Sequence, residues 1–572
     1  MDLASLGGEK REGHGHGRDL FKGKCCADDT NAVRYVGFQM LFGPSLNHGQ
    51  EEALSWTFFN HGGEWSYDPG YFNQHYRMGW TTVSVAHQQV TVDGGAVNVR
   101  NGGGHIVAFN VNSSSGIQFV MGKQDHAFDQ SKRFERLLGQ ADNPVSGDLE
   151  YWVDISIVEG GKFRDDSFHT LFGKADYNGE FKPTGEFSMF GDAVKGAEFM
   201  SNFRLSNQSD KGFYWRMPGN GYGFLLEPAL YKSSGAVRGV YSEAMVESAK
   251  RFKNTIKVDF PGEADREYYS VKSMKAPSAP SMAYLIRRDH GNKPSVFAKV
   301  MRFDSQDAPD PVASVQSVAV ENTQAGIARA YLVTLSDGRS DLWILADKDT
   351  SSRVAVEGYP AVTGNGRVTV LRFDSSRNLQ YINASDASQI TVGGKVYSGL
   401  KNTTGKIKVI DDEKLGNIVF TVDFGNNPVP ENGSGLVAVT ESAGALPANW
   451  SVRNIQDGKV ELNDLRFIFS TCKLIKSGNT PGKYQTSPPL AMFYNRGGMP
   501  SSAIAAGKFI RINGKYAGVI KKAEVISGNQ LELTITDFQG KALNIDADTV
   551  VNICEAAPDC SITVLNNLNW SR

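Results

Sequence analysis

Three side chains stand out for ligand chemistry: His48, Asp68 and His87, spaced 20 and 19 residues apart. That interval is about one β-hairpin each, so three neighbouring strands would bring two imidazoles and one carboxylate together. Such a set suits tetrahedral zinc, with water or a fourth ligand completing the shell. Taken by itself, the same spacing more often means three hydrogen-bonded polar residues on one sheet. Nine of the ten histidines fall within the first 169 residues, and only His290 lies beyond. Chemistry that uses imidazole therefore belongs to the first part of the chain. His14 and His16 sit in a glycine-rich polar tail. His61, His75, His105 and His126 read as surface or turn histidines, and His169 as a structural hydrogen-bonding one.

Other chemistries are excluded or unsupported. Phosphate-loop, dinucleotide-binding and nucleophile-elbow patterns with suitable flanks are absent. Five cysteines are present, so at least one thiol lacks an intrachain partner. Cys554 and Cys560 are close enough in sequence to bridge a small loop, Cys25 and Cys26 are adjacent, and Cys472 stands alone. No second spaced pair completes a zinc knuckle.

The elements that must position the histidines read as strands. Thr81–Val85, Val90–Asp93, Ala96–Arg100 and His105–Val111 are short β-type runs, and Leu149–Val158 and Ala328–Leu335 are longer ones. Val392-Gly393-Gly394-Lys395 and Ile512-Asn513-Gly514-Lys515 carry two-residue hairpin turns, where positive φ is needed. Asn47 to Gly94 is expected to form adjacent antiparallel strands of one sheet. Helical periodicity is confined to Ser131–Gln140 and Ser242–Asn254. The first of these would present Lys132, Arg133 and Arg136 on a solvated face, or on a groove for an anionic chain. Sixty-one glycines in 572 residues, against a usual ~7%, agree with many short strands and tight turns. Successive hairpins predict an all-β protein: a large antiparallel β-sandwich followed by a smaller C-terminal β-sandwich. The Pro/Ser-rich stretch Lys275–Ser281 reads as a long loop and Asn426–Gly435 as a stronger break. The expected units are a polar tail at 1–29, a first β unit at 30–400 and a second at 401–572. No internal repeat is evident.

Sixty basic against 62 acidic residues give a net charge of −2, which advertises no nucleic-acid partner. No stretch approaches the ~18 apolar residues of a membrane span. The first ten residues lack a basic-then-apolar leader.

The stretch around the histidines resembles the β-sandwich domain of heparinase II/III-like polysaccharide lyases, a family that includes some alginate lyases. Gly43-Pro44, His48-Gly49, Gly63-Glu64, Asp68-Pro69-Gly70-Tyr71, Tyr76, His87 and Val92-Asp93-Gly94 follow the family pattern in order. Tyr151–Ile155 with Gly160-Gly161 and Phe168-His169, then Ser336–Asp341 with Leu342–Ala346, look like later strands of the same domain. The resemblance covers about residues 30–400. It departs where the family's second histidine is Gln50, its following acid is shifted into Glu51-Glu52, and its histidine–asparagine pair is His87-Gln88. Family members carry an N-terminal helical toroid of a few hundred residues, and only ~30 residues precede the first matching strand here.

The resemblance implies β-elimination on a uronic-acid-containing, anionic polysaccharide. The C5 proton is weakly acidic while the neighbouring carboxylate is charged, so the site must neutralise that charge before a base removes the proton. An acid then protonates the leaving glycosidic oxygen. His48 and Tyr76 are the implied catalytic residues. A tyrosine of pKa ~10 needs a nearby cation to act as a base, and Arg77 and Arg164 are the implied sources of charge and of substrate contacts. Structural zinc at His48, Asp68 and His87 beside the cleft, a secreted or periplasmic location, and a toroid domain or chain as partner complete the expectation. A non-catalytic carbohydrate-binding or scaffold protein on the same fold is the rival reading.

Overall fold

The computed structural model describes residues 17–22, 37–42, 51–60, 63–64, 80, 82–97, 104–112, 114–172, 176–177, 180–184, 194–208, 213–218, 254–261, 266–273, 282–305, 309–322, 326–414, 417–429, 436–442, 444, 446–464, 467–487, 505–526 and 531–572. It is all-β, and four antiparallel sheets are stacked face to face. The first layer runs Lys182–Pro183, Met200–Gln208, Arg266–Ser273, Met282–His290, Phe163–Phe172, Val90–Val92. The second runs Asp176–Tyr177, Phe213–Pro218, Asn254–Phe260, Ser295–Ser305, Leu149–Gly160, Ser131–Asp142, Ile117–Lys123, His105–Asn112. The third runs Val312–Val318, Ala328–Leu335, Ser340–Ala346, Val368–Phe373, Leu379–Ser385, Asn567–Ser571. The fourth comprises Val320–Asn322, Ser352–Val354, Val362–Gly364, Gln389–Val392 and Lys395–Ser398.

Each interface has its own core. Phe168, Tyr268 and Leu285 of the first layer meet Phe134, Trp152 and Phe297 of the second. Leu137, Tyr151 and Ile155 meet Tyr331, Val333 and Trp343 of the third. Leu332, Ile344 and Phe373 meet Val354, Val362 and Ile390 of the fourth. Because the inner layers are covered on both faces, Ser340–Ala346 and Val368–Phe373 are buried at every position, and their sequences lack polar alternation. A four-stranded sheet, Gly17–Lys22, Gly37–Phe42, Ser55–Asn60 and Gly63–Glu64, sends Met40, Trp56 and Phe58 into the core between the first two layers.

Residues 403–565 close into two six-stranded barrels. The first runs Thr403–Lys414, Asn417–Asp423, Lys459–Leu462, Ala448–Gln456, Leu436–Glu441, Ser561–Leu565. The second runs Ile468–Lys476, Lys483–Ser487, Leu531–Thr536, Lys515–Val525, Phe509–Ile512, Thr549–Cys554. Numbered by chain position, both have the order one-two-five-four-three-six, and the second is inserted between the fifth and sixth strands of the first. The structure thus contains a topological repeat that the sequence does not display. After the first barrel closes, Asn567–Ser571 returns to pair with Leu379–Ser385 in the third layer.

Several sequence expectations are corrected. Ser131–Gln140 is strand, not helix: Phe134 and Leu138 enter one core while Leu137 and Ala141 enter the next. A period of two with both faces buried outweighs the helical reading. Asn47 to Gly94 does not build one sheet, since Ser55–Asn60 and Gly63–Glu64 lie in the four-stranded sheet and Val90–Val92 at the edge of the first layer. Between them Ser84–Ala86 is a 3₁₀ turn rather than strand, and Ala96–Val97 is not strand either. Cys472, Cys554 and Cys560 are free and buried, so no bridge joins the latter two. Lys275–Ser281 and all but the last residue of Ser242–Asn254 lie outside the described residues.

Candidate functional site

The segment from Ser84 to Gly94 is held by side chains from four directions. The Gln89 carboxamide accepts from the Ala53 amide (2.7 Å) and donates to the carbonyls of Glu51 (2.7 Å) and Ser84 (2.7 Å). Gln88 donates to the carbonyl of His169 and accepts from its amide at 3.3 Å. Arg136 Nη1 donates to the carbonyls of Leu54 (2.8 Å) and Gln88. Tyr284, whose ring stacks on His169 at 4.4 Å, donates its hydroxyl to the Ala86 carbonyl. Asp93, in a left-handed turn with Gly94 (φ 51 and 64), accepts from the amides of Lys162 and Phe163.

These contacts press residues 51–54 against residues 84–89. His87 is buried, with Nδ1 3.3 Å from Glu52 Oε1. A carboxylate on one ring nitrogen is the outer-shell arrangement that metal-ligating histidines adopt, fixing the tautomer and presenting the other nitrogen. His87 has one such carboxylate, and it is the part of the expected ligand set that the described residues include. His48 and Asp68, its expected co-ligands, lie outside the described residues, as do Tyr76 and Arg77. Among the described residues, no three His, Cys, Asp or Glu side chains converge as a metal site.

Arg164 does not sit where a substrate contact requires. It is fully buried, and its guanidinium faces Ser295 Oγ (2.8 Å) and the carbonyls of Gly160 (3.3 Å), Gly161 (3.4 Å), Gly291 and Lys293 (3.0 Å). Burial lowers its pKa against the opposing pull of Asp289 and Asp93. Arg164 clamps the turn after His290, and its donors are spent on the Ser295 hydroxyl and on backbone carbonyls. Lys132, Arg133 and Arg136 form neither the solvated helix face expected of them nor the alternative groove; they lie on a strand, and only Lys132 is exposed. Arg133 pairs with Glu135 and Asp347 at 2.6 Å each, and Arg136 is fully buried.

What the sequence did not announce is the buried ionic chain behind this segment. Arg136 grips Asp154 with Nε (2.7 Å) and Nη2 (2.6 Å). Lys299 Nζ bridges Asp154 (2.9 Å) and Asp166 (2.8 Å), and Arg287 holds Asp166 through Nε (3.0 Å) and Nη2 (2.6 Å). Trp56 Nε1 also donates to Asp154. Three cations and two carboxylates thus cross the core between the first and second layers. Burial pushes both carboxyl pKa values up, but Arg136 and Lys299 at Asp154, and Lys299 and Arg287 at Asp166, outweigh it and hold both below the usual range. For Lys299 burial wins over its two carboxylates, and its pKa is lowered from 10.5. A signal was present: Asp165-Asp166 and Arg287-Arg288 interrupt apolar strands and pair in register, 165 with 288 and 166 with 287.

No family model and no curated protein matches the chain. Among solved structures it is similar to a heparinase III (TM-score 0.33, 10% identity, 56% of this chain and 39% of that one). It is also similar to a heparan sulfate lyase mutant from Pedobacter heparinus (0.34, 10%, 58% and 41%) and to a Paenibacillus xanthan lyase (0.25, 9%, 96% and 65%). The chain thus spans about two fifths of the heparinase structures. Likenesses of this extent carry no argument about its activity.

Proposed function

We propose that this chain is the β-sandwich part of a polysaccharide lyase that cleaves a uronic-acid-containing polysaccharide by β-elimination. The reading rests on the ordered residue run from Gly43 to Gly94, and the observation that carries it is the contact between His87 and Glu52. Two separate pieces of that run are brought together by buried hydrogen bonds that a merely fortuitous match would not require. In this reading Tyr76 acts as acid at the uronate and Arg77 offsets the sugar carboxylate, with no part for Arg164. His48 acts as base only in the metal-free site, because an imidazole bound to zinc has no lone pair left to take the proton. Zinc would be held by His48, Asp68 and His87 and would serve as a structural charge centre tying the loops beside the cleft. A helical toroid, on this or another chain, would form the opposing wall and exclude water. The natural setting is secreted or periplasmic; no described helix is long and apolar enough to cross a membrane.

The test is formation of the unsaturated uronate, followed by ultraviolet absorbance, on heparan, chondroitin, hyaluronan and alginate. His48→Ala and Tyr76→Phe should each remove whatever turnover the chain shows with or without an added toroid. Turnover unchanged in both variants would refute the assignment, and retention of a polyuronan without product would favour a non-catalytic binding protein.

A further inference from the structure

Far along the chain from His87, two aromatic rings and an ammonium group meet at the edge of the third and fourth layers. Tyr397 lies on the edge strand Lys395–Ser398 and Trp570 on the edge strand Asn567–Ser571. Register sets Tyr397 beside Ile390 and Trp570 beside Ile382, and both isoleucines belong to the core shared by these two layers. The two rings pack against that core and meet edge to face, with centroids 4.9 Å apart at 61°. Both are half-buried, whereas Lys395 is exposed. Its Nζ lies 5.1 Å from the Tyr397 centroid and 5.2 Å from that of Trp570, and no described carboxylate pairs with it.

Closing a sandwich edge requires apolar rings but not a cation. An ammonium parked on two aromatic rings is fixed by the ring quadrupoles and keeps its hydrogen-bond donors available. Rings with apolar body and polar tip are suited to a ligand with one apolar and one polar face. A pyranose offers C–H groups to an indole or phenol face, and a uronate adds a carboxylate at the ring periphery, within reach of such an ammonium. On the hairpin side Gly393, Gly394, Lys395 and Val396 are all exposed to solvent.

We propose that Tyr397, Trp570 and Lys395 form a second sugar-binding site, for one acidic ring of a polysaccharide, that holds the polymer independently of the His87 region. The ligand class rests on the lyase reading; the aromatic–ammonium geometry does not. The experiment is affinity electrophoresis of the full chain in gels carrying alginate or heparin, with dextran as the neutral control. Wild type should be retarded by the acidic polymers and not by dextran. Lys395→Glu, at an exposed position, should weaken binding about tenfold, Lys395→Arg should retain it, and Trp570→Ala should weaken it at least as much. Retardation of Lys395→Glu equal to wild type would overturn the proposal, as would equal retardation by dextran. So would a self-associated wild type that Lys395→Glu renders monomeric, which would assign the two strand edges to a second copy of the chain. A chain that yields no unsaturated product yet is retarded through Lys395 would sink the lyase reading and leave this site standing.

Discussion

Removing the Asp166 carboxylate should loosen the first and second layers far more than removing the Lys299 ammonium it binds. In wild type, Arg136, Lys299 and Arg287 face Asp154 and Asp166 in full burial. Asp166→Asn leaves three buried cations against one carboxylate and strands Arg287, whose Nε and Nη2 both donate to Asp166. Leaving a buried charge uncompensated costs ~3–5 kcal/mol. Lys299→Met instead leaves two balanced, doubly bonded pairs, Arg136 with Asp154 and Arg287 with Asp166, and should cost under ~1.5 kcal/mol. A chain of several sheets and barrels does not unfold as one two-state unit, so hydrogen exchange in Phe163–Phe172 and Met282–His290 is the appropriate measure. Protection there should fall by about two to four orders of magnitude in Asp166→Asn, and by about tenfold or less in Lys299→Met. Equal losses in the two variants, or a larger loss for Lys299→Met, would refute the charge-balance argument. The sign with pH follows from the lowered lysine pKa. Between that value and 10.5 the unfolded chain binds the proton that the folded chain has lost, so this group's contribution to stability rises with pH across that window.

Asp142 titrates in the opposite sense. Burial raises its pKa to about 7, against the lowering effects of Gln140 and Arg372, with Glu150 and Asp148 adding to the rise. Its contribution is lost as pH climbs from 3.8 towards 7, so Asp142→Asn should gain stability relative to wild type over that range and plateau above it, as read by hydrogen-exchange protection in Ser131–Asp142. His87→Ala should lower the melting temperature of zinc-treated protein, and a chelator should bring wild type to the same value; no metal in elemental analysis of the wild type would end the zinc proposal. Gly139→Ala would place a Cβ 2.4 Å from Cη2 of Trp343, costing about 1–3 kcal/mol through overpacking between the second and third layers. A melting temperature unchanged by that substitution would refute the packing argument.

The residues that sequence reasoning placed well are those whose conformation is local. Gly393-Gly394 and Asn513-Gly514 adopt positive φ at all four positions, and the strands on either side pair as hairpins. Ala328–Leu335 is a strand with the expected bounds, because a β-branched and aromatic run carries its own preference. Ser131–Gln140 failed because Arg133, Glu135 and Arg136 look like surface charges. Their partners Asp347, Arg367 and Asp154 are supplied by other strands and other layers. Arg164 misled for the same reason: Gly291 and Lys293, whose carbonyls take its guanidinium, lie 127 and 129 positions further along the chain. At the candidate site, the order of motifs put Glu52 and His87 in one run of expected strands but did not pair them. It gave no hint that Gln88, Gln89 and Arg136 do the joining, since two glutamines and an arginine carry no pattern of their own. The shared strand order of the two barrels is a long-range property, and no window of sequence contains it.

That nesting dictates a timetable for a chain emerging from a ribosome. The inner barrel is complete once Cys554 has been made, but the outer one waits for Ser561–Leu565, although its first strand begins at Thr403. The strand Leu379–Ser385 waits longer still, presenting an unpaired edge until Asn567–Ser571 arrives. Unpaired edges of this kind recruit the wrong strands. A stop codon or a pause placed just before residue 561 would therefore leave two structures open at once, and nascent chains arrested there should be captured by holdase chaperones far more than chains extended through Arg572.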